Sequence, residues 1–180
     1  MSERDNMKTG ERRTATILFS DMKGFTSLSE RTDPEEMDAL MTRVFGVFEE
    51  LIKTYGGFVE KYIGDALVAV FGVPELHEDD PARAVHAALE FLASVKGAKG
   101  AEGLSSRTGI HEGLVTTGKR GEFDVVTGHA MSVAQRLEAA AAPGAILVSE
   151  AVKEKCEEDF DFSPRRDVEA KGKSEPIAAF

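Results

Sequence analysis

The sequence predicts an α+β fold, in which a ferredoxin-like βαββαβ sheet carries helices packed on it and is followed by a C-terminal α/β extension. The order of the apolar patterns carries this prediction: strand, helix, two strands joined by a two-residue connection, helix and strand, then further helices and strands. At 180 residues the chain is the size of one domain that can bury a core. Its 42% hydrophobic and 30% charged residues are typical of globular proteins.

The chain begins with a polar segment and a buried strand. Residues 1–12 have no periodic apolar pattern and are predicted to be a linker or tail, which leaves residues 13–180 as the domain. Residues 14–20 are β-branched and apolar, as in a central strand that is buried on both faces. We expect Asp21 to end this strand.

The first long helix has recognisable start and stop signals. Asp33, Pro34 and Glu36 form the pattern of an N-cap, a proline in the first turn and an acid three residues after the cap. Apolar side chains then recur at helical spacing until Gly56 and Gly57, which are predicted to end the helix.

Two strands and a second helix follow. Residues 58–63 and 66–71 have strand-like patterns, and only Gly64 and Asp65 separate them, so a tight type II′ hairpin is predicted. The next helix is predicted to begin at Asp79. Its expected apolar face consists of Val85, Ala88, Leu89, Leu92 and Val95.

The second half of the chain is predicted to alternate between strands and helices. In order, we expect a glycine-rich loop at 97–103, a strand at 106–117, a short loop, a helix at about 128–142, a strand at 145–148, a short helix near 151–157 and two final strand-like segments.

The net charge argues against two classes of partner. The chain has 22 basic and 32 acidic side chains, a formal charge of -10, and its basic residues form no extended patch. Such a surface repels phosphate polymers and anionic lipid, so we expect neither nucleic-acid binding nor direct membrane contact by this domain. A small anion that arrives with a divalent metal remains compatible with this charge.

The cysteine content points to a reducing compartment. Cys156 is the single cysteine, which excludes an internal disulfide and favours a cytoplasmic location. The polar N-terminal residues have no signal-peptide core, and no apolar stretch is long enough to span a bilayer. The chain could still be one piece of a larger, even membrane-tethered, protein.

Two acids stand out because of their positions. Asp21 follows the first strand and Asp65 lies at the tip of the hairpin, and these elements are central neighbours in a βαββαβ sheet. Paired carboxylates on rigid strand ends suit Mg²⁺ or Mn²⁺, and two such ions are a recurrent device for displacement at phosphorus. The alternative is that Asp21 caps the segment at 24–30 and that Asp65 is an ordinary hairpin residue.

Other common site chemistries find little support. The four histidines are dispersed along the chain without a ligand-like pair, so a zinc site is not expected. The sequence has no Gly-x-Ser-x-Gly, Gly-x-Gly-x-x-Gly or Walker-type loop, which argues against a serine hydrolase, a dinucleotide-binding protein or a P-loop protein.

Several segments together resemble the class III nucleotidyl cyclases, the adenylate and guanylate cyclase family, and the pattern is adenylate cyclase-like. The resemblance extends over nearly the whole domain, and its segments occur in the family's order. They are Phe-Ser-Asp-Met-Lys-Gly-Phe-Thr at 19–26, Gly-Gly-Phe-Val-Glu-Lys-Tyr-Ile-Gly-Asp-Ala-Leu at 56–67, Arg-Thr-Gly-Ile-His-Glu-Gly at 107–113, Ala-Gln-Arg-Leu-Glu at 134–138 and Lys-Gly-Lys at 171–173.

The resemblance implies an adenylate cyclase, a phosphorus-oxygen lyase that converts ATP to 3′,5′-cyclic AMP and pyrophosphate. It implies that Asp21 and Asp65 hold two ions, Mg²⁺ or Mn²⁺, in each site, assisted by the backbone carbonyl of Met22. The 3′-hydroxyl of the ribose would attack the α-phosphorus in line and expel pyrophosphate.

The resemblance also implies roles for three cationic side chains. Arg136 would stabilise the charge that grows on the α-phosphate, and Lys171 would bind the terminal phosphates. Lys61 matches the position that contacts the purine; its ammonium can donate to the N1 acceptor of adenine, whereas guanine carries a proton there, so Lys61 favours ATP.

Two positions depart from the family pattern. The family's transition-state asparagine falls on Ser132, and losing one orienting donor costs roughly 2–4 kcal/mol of barrier, about a hundredfold in rate. The second purine-contacting position falls on Val125, which cannot accept from the adenine amino group. Asp124 could do so if a bulge shifts the strand by one residue.

The family builds its sites across a head-to-tail homodimer. The resemblance implies that Asp21 and Asp65 come from one subunit, and that Lys61, Arg136 and Lys171 come from the other. It also implies that a regulatory domain is attached in the full-length protein.

Three other functions are weighed against this one. A degenerate cyclase-homology domain, which would bind nucleotide or dimerise with weak or no turnover, is suggested by Ser132 and Val125. A guanylate cyclase is opposed by Lys61. A diguanylate cyclase is opposed because the sequence lacks a Gly-Gly-(Asp/Glu)-Glu-Phe segment.

Overall fold

The computed structural model describes residues 10–120, 123–169 and 176–180. The strands are β1 (Arg12–Lys23), β2 (Phe58–Ile63), β3 (Ala66–Phe71), β4 (Ser105–Arg120), β5 (Phe123–Thr127), β6 (Ile146–Val148), β7 (Arg166–Val168) and β8 (Ile177–Ala179). The helices are α1 (Phe25–Ser29), α2 (Pro34–Thr54), α3 (Asp80–Gly97), α4 (His129–Ala140) and α5 (Glu150–Cys156).

The main sheet has the strand order β2-β3-β1-β4-β5, in which neighbouring strands are antiparallel. Strand β6 pairs parallel to β4, and β7 and β8 form a separate two-stranded sheet. The predicted α+β class, with its βαββαβ sheet and C-terminal extension, is confirmed. The domain boundary at residue 13 stays a prediction; β1 begins at Arg12.

Alternation along β1 gives the sheet two apolar faces. Leu18 and Met22 belong to the core formed with α2, α3 and α5, whereas Ile17 and Phe19 belong to the core formed with α4. Because successive side chains in a strand point to opposite faces, Asp21 shares the α4 side of the sheet with Ile17 and Phe19. The helices therefore cover both faces, and the metal-binding candidate of β1 lies on the side of α4.

The prediction that Asp21 ends the first strand is wrong. Strand β1 continues to Lys23, and Asp21 is in register with Ala66 of β3 and with Arg107 of β4. A central strand has partners on both sides, so one acid does not stop it. The alternative that Asp21 caps the next segment is also wrong, because the N-cap of α1 is Gly24.

Two further differences come from packing. Residues 118–127 contain a strand, β5, where a short loop was expected, and Val126 of that strand is buried. In α3, Leu89 is 45% exposed, so its predicted place on the apolar face is wrong. Phe91 and a set of alanines occupy the buried side instead, because α3 packs closely against the sheet and α2.

The predicted hairpin and helix start are confirmed. Gly64 has a φ of 64°, and since Asp65 does not have a positive φ, the turn has the type II′ pattern. The side chain of Asp33 accepts a hydrogen bond from the backbone N–H of Glu35 at 2.9 Å, which satisfies one free donor at the start of α2. Within the described ranges, no helix has both the length and the apolar character needed to cross a membrane.

Candidate active site

The two aspartates lie at the same end of the central strands. Asp21 is opposite Ala66, the residue after Asp65, and the backbone N–H of Met22 donates to the carbonyl oxygen of Asp65 at 3.3 Å. Asp21 is 7% exposed, and Asp65 is half-buried. Sheet register thus brings together the three residues that were expected to bind metal.

The carboxylate of Asp21 is paired with two cations. Its Oδ2 lies 2.5 Å from Nζ of Lys23 and 3.0 Å from Nη2 of Arg107. Arg107 also contacts α4, because its Nε lies 2.6 Å from Oε1 of Glu138 and its Nη1 donates to the carbonyl oxygen of Ala139 at 3.1 Å. The sequence analysis did not assign a role to Arg107, although its place in the Gly-Ile-His segment was a usable signal.

The contact between Arg107 of β4 and α4 depends on the close packing of α4 on β4. A Cβ atom on Gly109 would lie 2.2 Å from the backbone nitrogen of Glu138 and 2.3 Å from the carbonyl oxygen of Ala134. Only glycine allows this approach. Burial raises the pKa of Glu138 above its ordinary value, and the neighbouring Arg107 opposes that rise.

An open cleft of about 670 Å³ lies beside Asp65. Asp65 and Gly64 line it on one side, and residues of α1 and α2, including Thr26 and Asp38, line the other. The turn into α1 depends on Gly24, whose φ is 88° and whose added Cβ would lie 2.1 Å from the carbonyl oxygen of Gly103. The cleft is within the size range of small-molecule sites.

The donor atoms present fit a hard divalent cation. Asp21 and Asp65 offer carboxylate oxygens, and Met22 adds a backbone carbonyl, which are the ligand types that Mg²⁺ and Mn²⁺ prefer. The described ranges contain no group of three or more His, Cys, Asp or Glu side chains arranged to hold a metal. Mg²⁺ sites commonly use one or two carboxylates and take their remaining ligands from water and substrate phosphates.

The candidate purine-contacting residues lie on β2 and β5. Nζ of Lys61 lies 3.0 Å from Oε2 of Glu60. Oε1 of Glu60 accepts a hydrogen bond from the backbone N–H of Val126 at 3.3 Å, so this side chain joins β2 to β5. Val125 is half-buried and pairs with Gly118. The sequence analysis did not identify Glu60 as a site residue.

Asp124 pairs with Lys119 through the backbone register of β4 and β5. Its side chain is outside the described part of the structure. The register between these two strands is continuous from Thr116 to Arg120. A one-residue bulge that would replace Val125 by Asp124 is therefore absent from the β4–β5 pairs in the described residues.

Helix α4 carries the two remaining described candidates. Ser132 is exposed, and Arg136 follows it after one turn on the same side of the helix. Arg136 lines an open cleft of about 580 Å³ together with Arg166 and Glu169. Lys171 lies outside the described residues.

Arg136 and Glu138 lie on different sides of α4. Glu138 is buried and contacts Arg107, which in turn contacts Asp21. Arg136 is two residues before Glu138, and helix residues two apart do not face each other. Within one subunit, α4 therefore presents Glu138 to the metal-binding end of β1, and Arg136 belongs to a different side of the helix.

Comparison with known proteins gives a consistent family assignment. A family model described as the adenylate and guanylate cyclase catalytic domain matches residues 7–180. Adenylate cyclase 1 of Rhizobium meliloti is 30% identical over 175 residues, which cover 91% of this chain and 26% of that protein. The chain spans well under half of the length of the curated relatives it matches.

The fold is similar to solved structures of both guanylyl and adenylyl cyclases. The guanylyl cyclase Cya2 has a TM-score of 0.88 and 29% identity, with 96% of this chain and 92% of that one covered. The adenylyl cyclase CyaB from P. aeruginosa has a TM-score of 0.86 and 28% identity, with 96% of this chain and 94% of that one covered.

Proposed function

Because the chain belongs to the family of adenylate and guanylate cyclase catalytic domains, we propose that it is the catalytic domain of an adenylate cyclase, which converts ATP to 3′,5′-cyclic AMP and pyrophosphate. The matched relatives include both adenylate and guanylate cyclases, so the choice of ATP depends on the residues of this chain. The observation that supports the choice is Lys61, which is paired with Glu60 and occupies the position proposed to contact the purine.

The preference for adenine follows from hydrogen-bond chemistry. An ammonium group only donates, and adenine offers an acceptor at N1, where guanine has a donor. The side chain of Lys61 is 44% exposed and its Nζ is paired with Glu60; an ammonium has three donors, so it would still have donors to offer a base. Val125 adds no polar group to this contact.

Asp21, Asp65 and the carbonyl of Met22 would hold the divalent ions that this family uses. When bound, such ions lower the pKa of the ribose 3′-hydroxyl and neutralise charge on the triphosphate. The 3′-oxygen forms a bond to the α-phosphorus, its proton passes to water, and the bond between the α-phosphorus and the bridging oxygen breaks, so that pyrophosphate leaves. The cleft beside Asp65 has room for the phosphates.

Three further residues would act on the substrate: Arg136 and Ser132 of α4, and Lys171. The guanidinium of Arg136 would stabilise the charge that develops on the α-phosphate, and Lys171 would bind the terminal phosphates. The hydroxyl of Ser132, on the same side of α4 as Arg136, would donate one hydrogen bond to the ribose. This shorter donor makes the proposed enzyme slower than one with asparagine at position 132.

Cyclase domains of this family act as dimers, and the placement of Arg136 supports a composite site here. Glu138 faces the Asp21 network within one subunit and Arg136 lies on a different side of α4, so a second copy would supply the arginine. Each homodimer would then contain two equivalent sites. An attached regulatory domain in a longer protein is part of the same proposal.

The test is product formation by the purified protein with Mn²⁺ and either ATP or GTP. We expect cyclic AMP from ATP, a smaller yield of cyclic GMP from GTP, and neither product from an Asp65→Ala variant. Cyclic GMP as the main product would assign a guanylate cyclase instead.

The second candidate, a nucleotide-binding or dimerisation module without appreciable turnover, is favoured by one observation, the serine at position 132. A Ser132→Asn variant separates the two. A large gain in cyclic AMP formation with unchanged ATP affinity indicates a slow enzyme. No product from either protein, with ATP still bound, indicates the module.

A further inference from the structure

A β-bulge interrupts β2 at Glu60. Val59 is opposite Ala69, and Lys61 is opposite Val68, so Glu60 is the extra residue in β2. A bulge breaks the strict alternation of side chains and re-aims the residue that it contains. As a result, the neighbouring side chains of Glu60 and Lys61 meet instead of pointing to opposite faces of the sheet.

The bulge places a carboxylate in a buried position with two defined partners. The side chain of Glu60 is 2% exposed, whereas that of Lys61 is 44% exposed. Oε2 of Glu60 forms an ion pair with Nζ of Lys61 and has no hydrogen-bond partner among the described residues, whereas Oε1 accepts a hydrogen bond from the backbone N–H of Val126. Burying a carboxylate is costly unless it is paired and hydrogen-bonded, so these two contacts define the orientation of Glu60.

Glu60 also connects distant parts of the sheet. Strands β2 and β5 stand at opposite ends of the strand order, and residues 60 and 126 are 66 apart in sequence. The same side chain therefore fixes the ammonium of Lys61 relative to Val125, the residue beside Val126. These are the two positions assigned to the purine in the proposed function.

We propose that Glu60 is a positioning residue that determines the purine selectivity of this site, by holding the ammonium of Lys61 in one orientation. An apolar residue at position 60 would fill the same space without the cost of burying a charge. What the carboxylate adds is restraint. A free lysine side chain loses rotamer entropy when it binds a base, and a side chain that Glu60 already holds loses less.

This restraint on Lys61 affects how the site discriminates adenine from guanine. An unrestrained Lys61 can swing toward the O6 acceptor of guanine as well as toward N1 of adenine. Val125 offers no polar side chain, and among the described residues Glu60 is paired with Lys61 and limits this movement. This inference rests on the proposed function, in which Lys61 contacts the purine.

The test is a Glu60→Gln variant, which retains an acceptor for Val126 and removes the charge that holds Lys61. We expect KM for ATP to rise about tenfold while kcat changes little, and the ratio of kcat/KM for ATP to that for GTP to fall about tenfold. Binding of fluorescent ATP and GTP analogues, measured by anisotropy, should change in the same ratio. The binding measurement does not require turnover, so it tests Glu60 even if the proposed enzymatic activity is absent.

Glu112→Gln is the matched control. Glu112 is a second carboxylate with a side chain only 8% exposed, paired at 2.7 Å with Lys155, whose side chain is 48% exposed. We expect this variant to alter the unfolding temperature without altering the ATP-to-GTP ratio. If Glu60→Gln leaves that ratio unchanged in both assays, or alters it no more than Glu112→Gln, then Glu60 has only a structural role and the proposal is wrong.

A double-mutant cycle with Lys61→Ala provides the second criterion. If Glu60 acts through Lys61, Glu60→Gln has no further effect on selectivity once Lys61 is replaced. Additive effects of the two substitutions would contradict the proposed coupling. A Glu60→Asp variant keeps the negative charge. In the protein that still has Lys61, it should retain more of the selectivity than Glu60→Gln does.

Discussion

The guanidinium of Arg107 lies 3.0 Å from Oδ2 of Asp21, and this ion pair joins β4 to the metal-binding candidate of β1. Because Arg107 also contacts Glu138 and the carbonyl of Ala139, it connects Asp21 to α4. The two carboxylates share one guanidinium in a largely buried region. Removing it would leave Glu138 without its cationic partner and Asp21 with Lys23 as its remaining one.

Arg107→Ala should therefore reduce stability and activity together. Loss of one partner from a buried charge network costs roughly 3–5 kcal/mol in the free energy of unfolding. Urea denaturation measures this change. Arg165→Ala, which removes an exposed pair with Asp167, should cost at most about 1 kcal/mol. Equal effects of the two substitutions would show that the Arg107 network contributes little.

Lys23→Ala should tighten metal binding. Nζ of Lys23 lies 2.5 Å from Oδ2 of Asp21 and competes as a cation for that oxygen. Without it, we expect the Mn²⁺ concentration for half-maximal activity to fall several-fold. Lys153→Ala removes a similar pair between Lys153 of α5 and Glu157, the residue after that helix, and serves as the control. An unchanged or higher Mn²⁺ requirement for Lys23→Ala would contradict the prediction.

Mixed variants should recover activity if the active site spans two subunits. Asp65→Ala and Arg136→Ala should each be inactive alone, because each removes one half of every site. In an equal mixture, half of the dimers contain both variants and have one intact site out of two, so we expect about a quarter of the wild-type activity. The measurement is cyclic AMP formation after mixing and re-equilibration. A mixture as inactive as its components would argue for sites within one chain.

The thiol of Cys156 should make stability depend on alkaline pH. Burial, with Asp159 and Glu112 nearby, raises the pKa of Cys156 from 9.0 to about 11. The unfolded chain loses this proton first, so the contribution to stability is complete below about pH 9 and is lost as the pH rises toward about 11.

We expect the free energy of unfolding to fall more steeply between about pH 8 and about pH 10.5 in the wild type than in Cys156→Ala. Urea denaturation at the two pH values measures the difference, and the variant corrects for other groups that titrate in this range. Parallel losses in the two proteins would show that the buried thiol does not contribute.

The parts of the fold that were predicted from sequence depend on neighbouring residues. Asp33 and the proline after it define the start of α2, and Gly64 with Asp65 defines the hairpin, because caps and tight turns are determined within a few residues. The five motif segments, taken together and in their order, predicted the family to which the match over residues 7–180 assigns the chain. Leu89 was misplaced because helical spacing alone does not show which side of α3 meets the sheet.

The contacts within the candidate site could not be predicted from neighbouring residues in the sequence. Arg107 and Asp21 are 86 residues apart, and Glu60 and Val126 are 66 apart, so no local pattern brings either pair together. The sequence by itself determined which side chains carry charge, where α2 begins and where the hairpin turns. The tertiary structure alone decided that Asp21 lies inside β1 under Arg107, and that a bulge turns Glu60 toward Lys61 and β5. The physical reason is that strand register and burial, which select the partner of each charge, arise only when distant segments pack together.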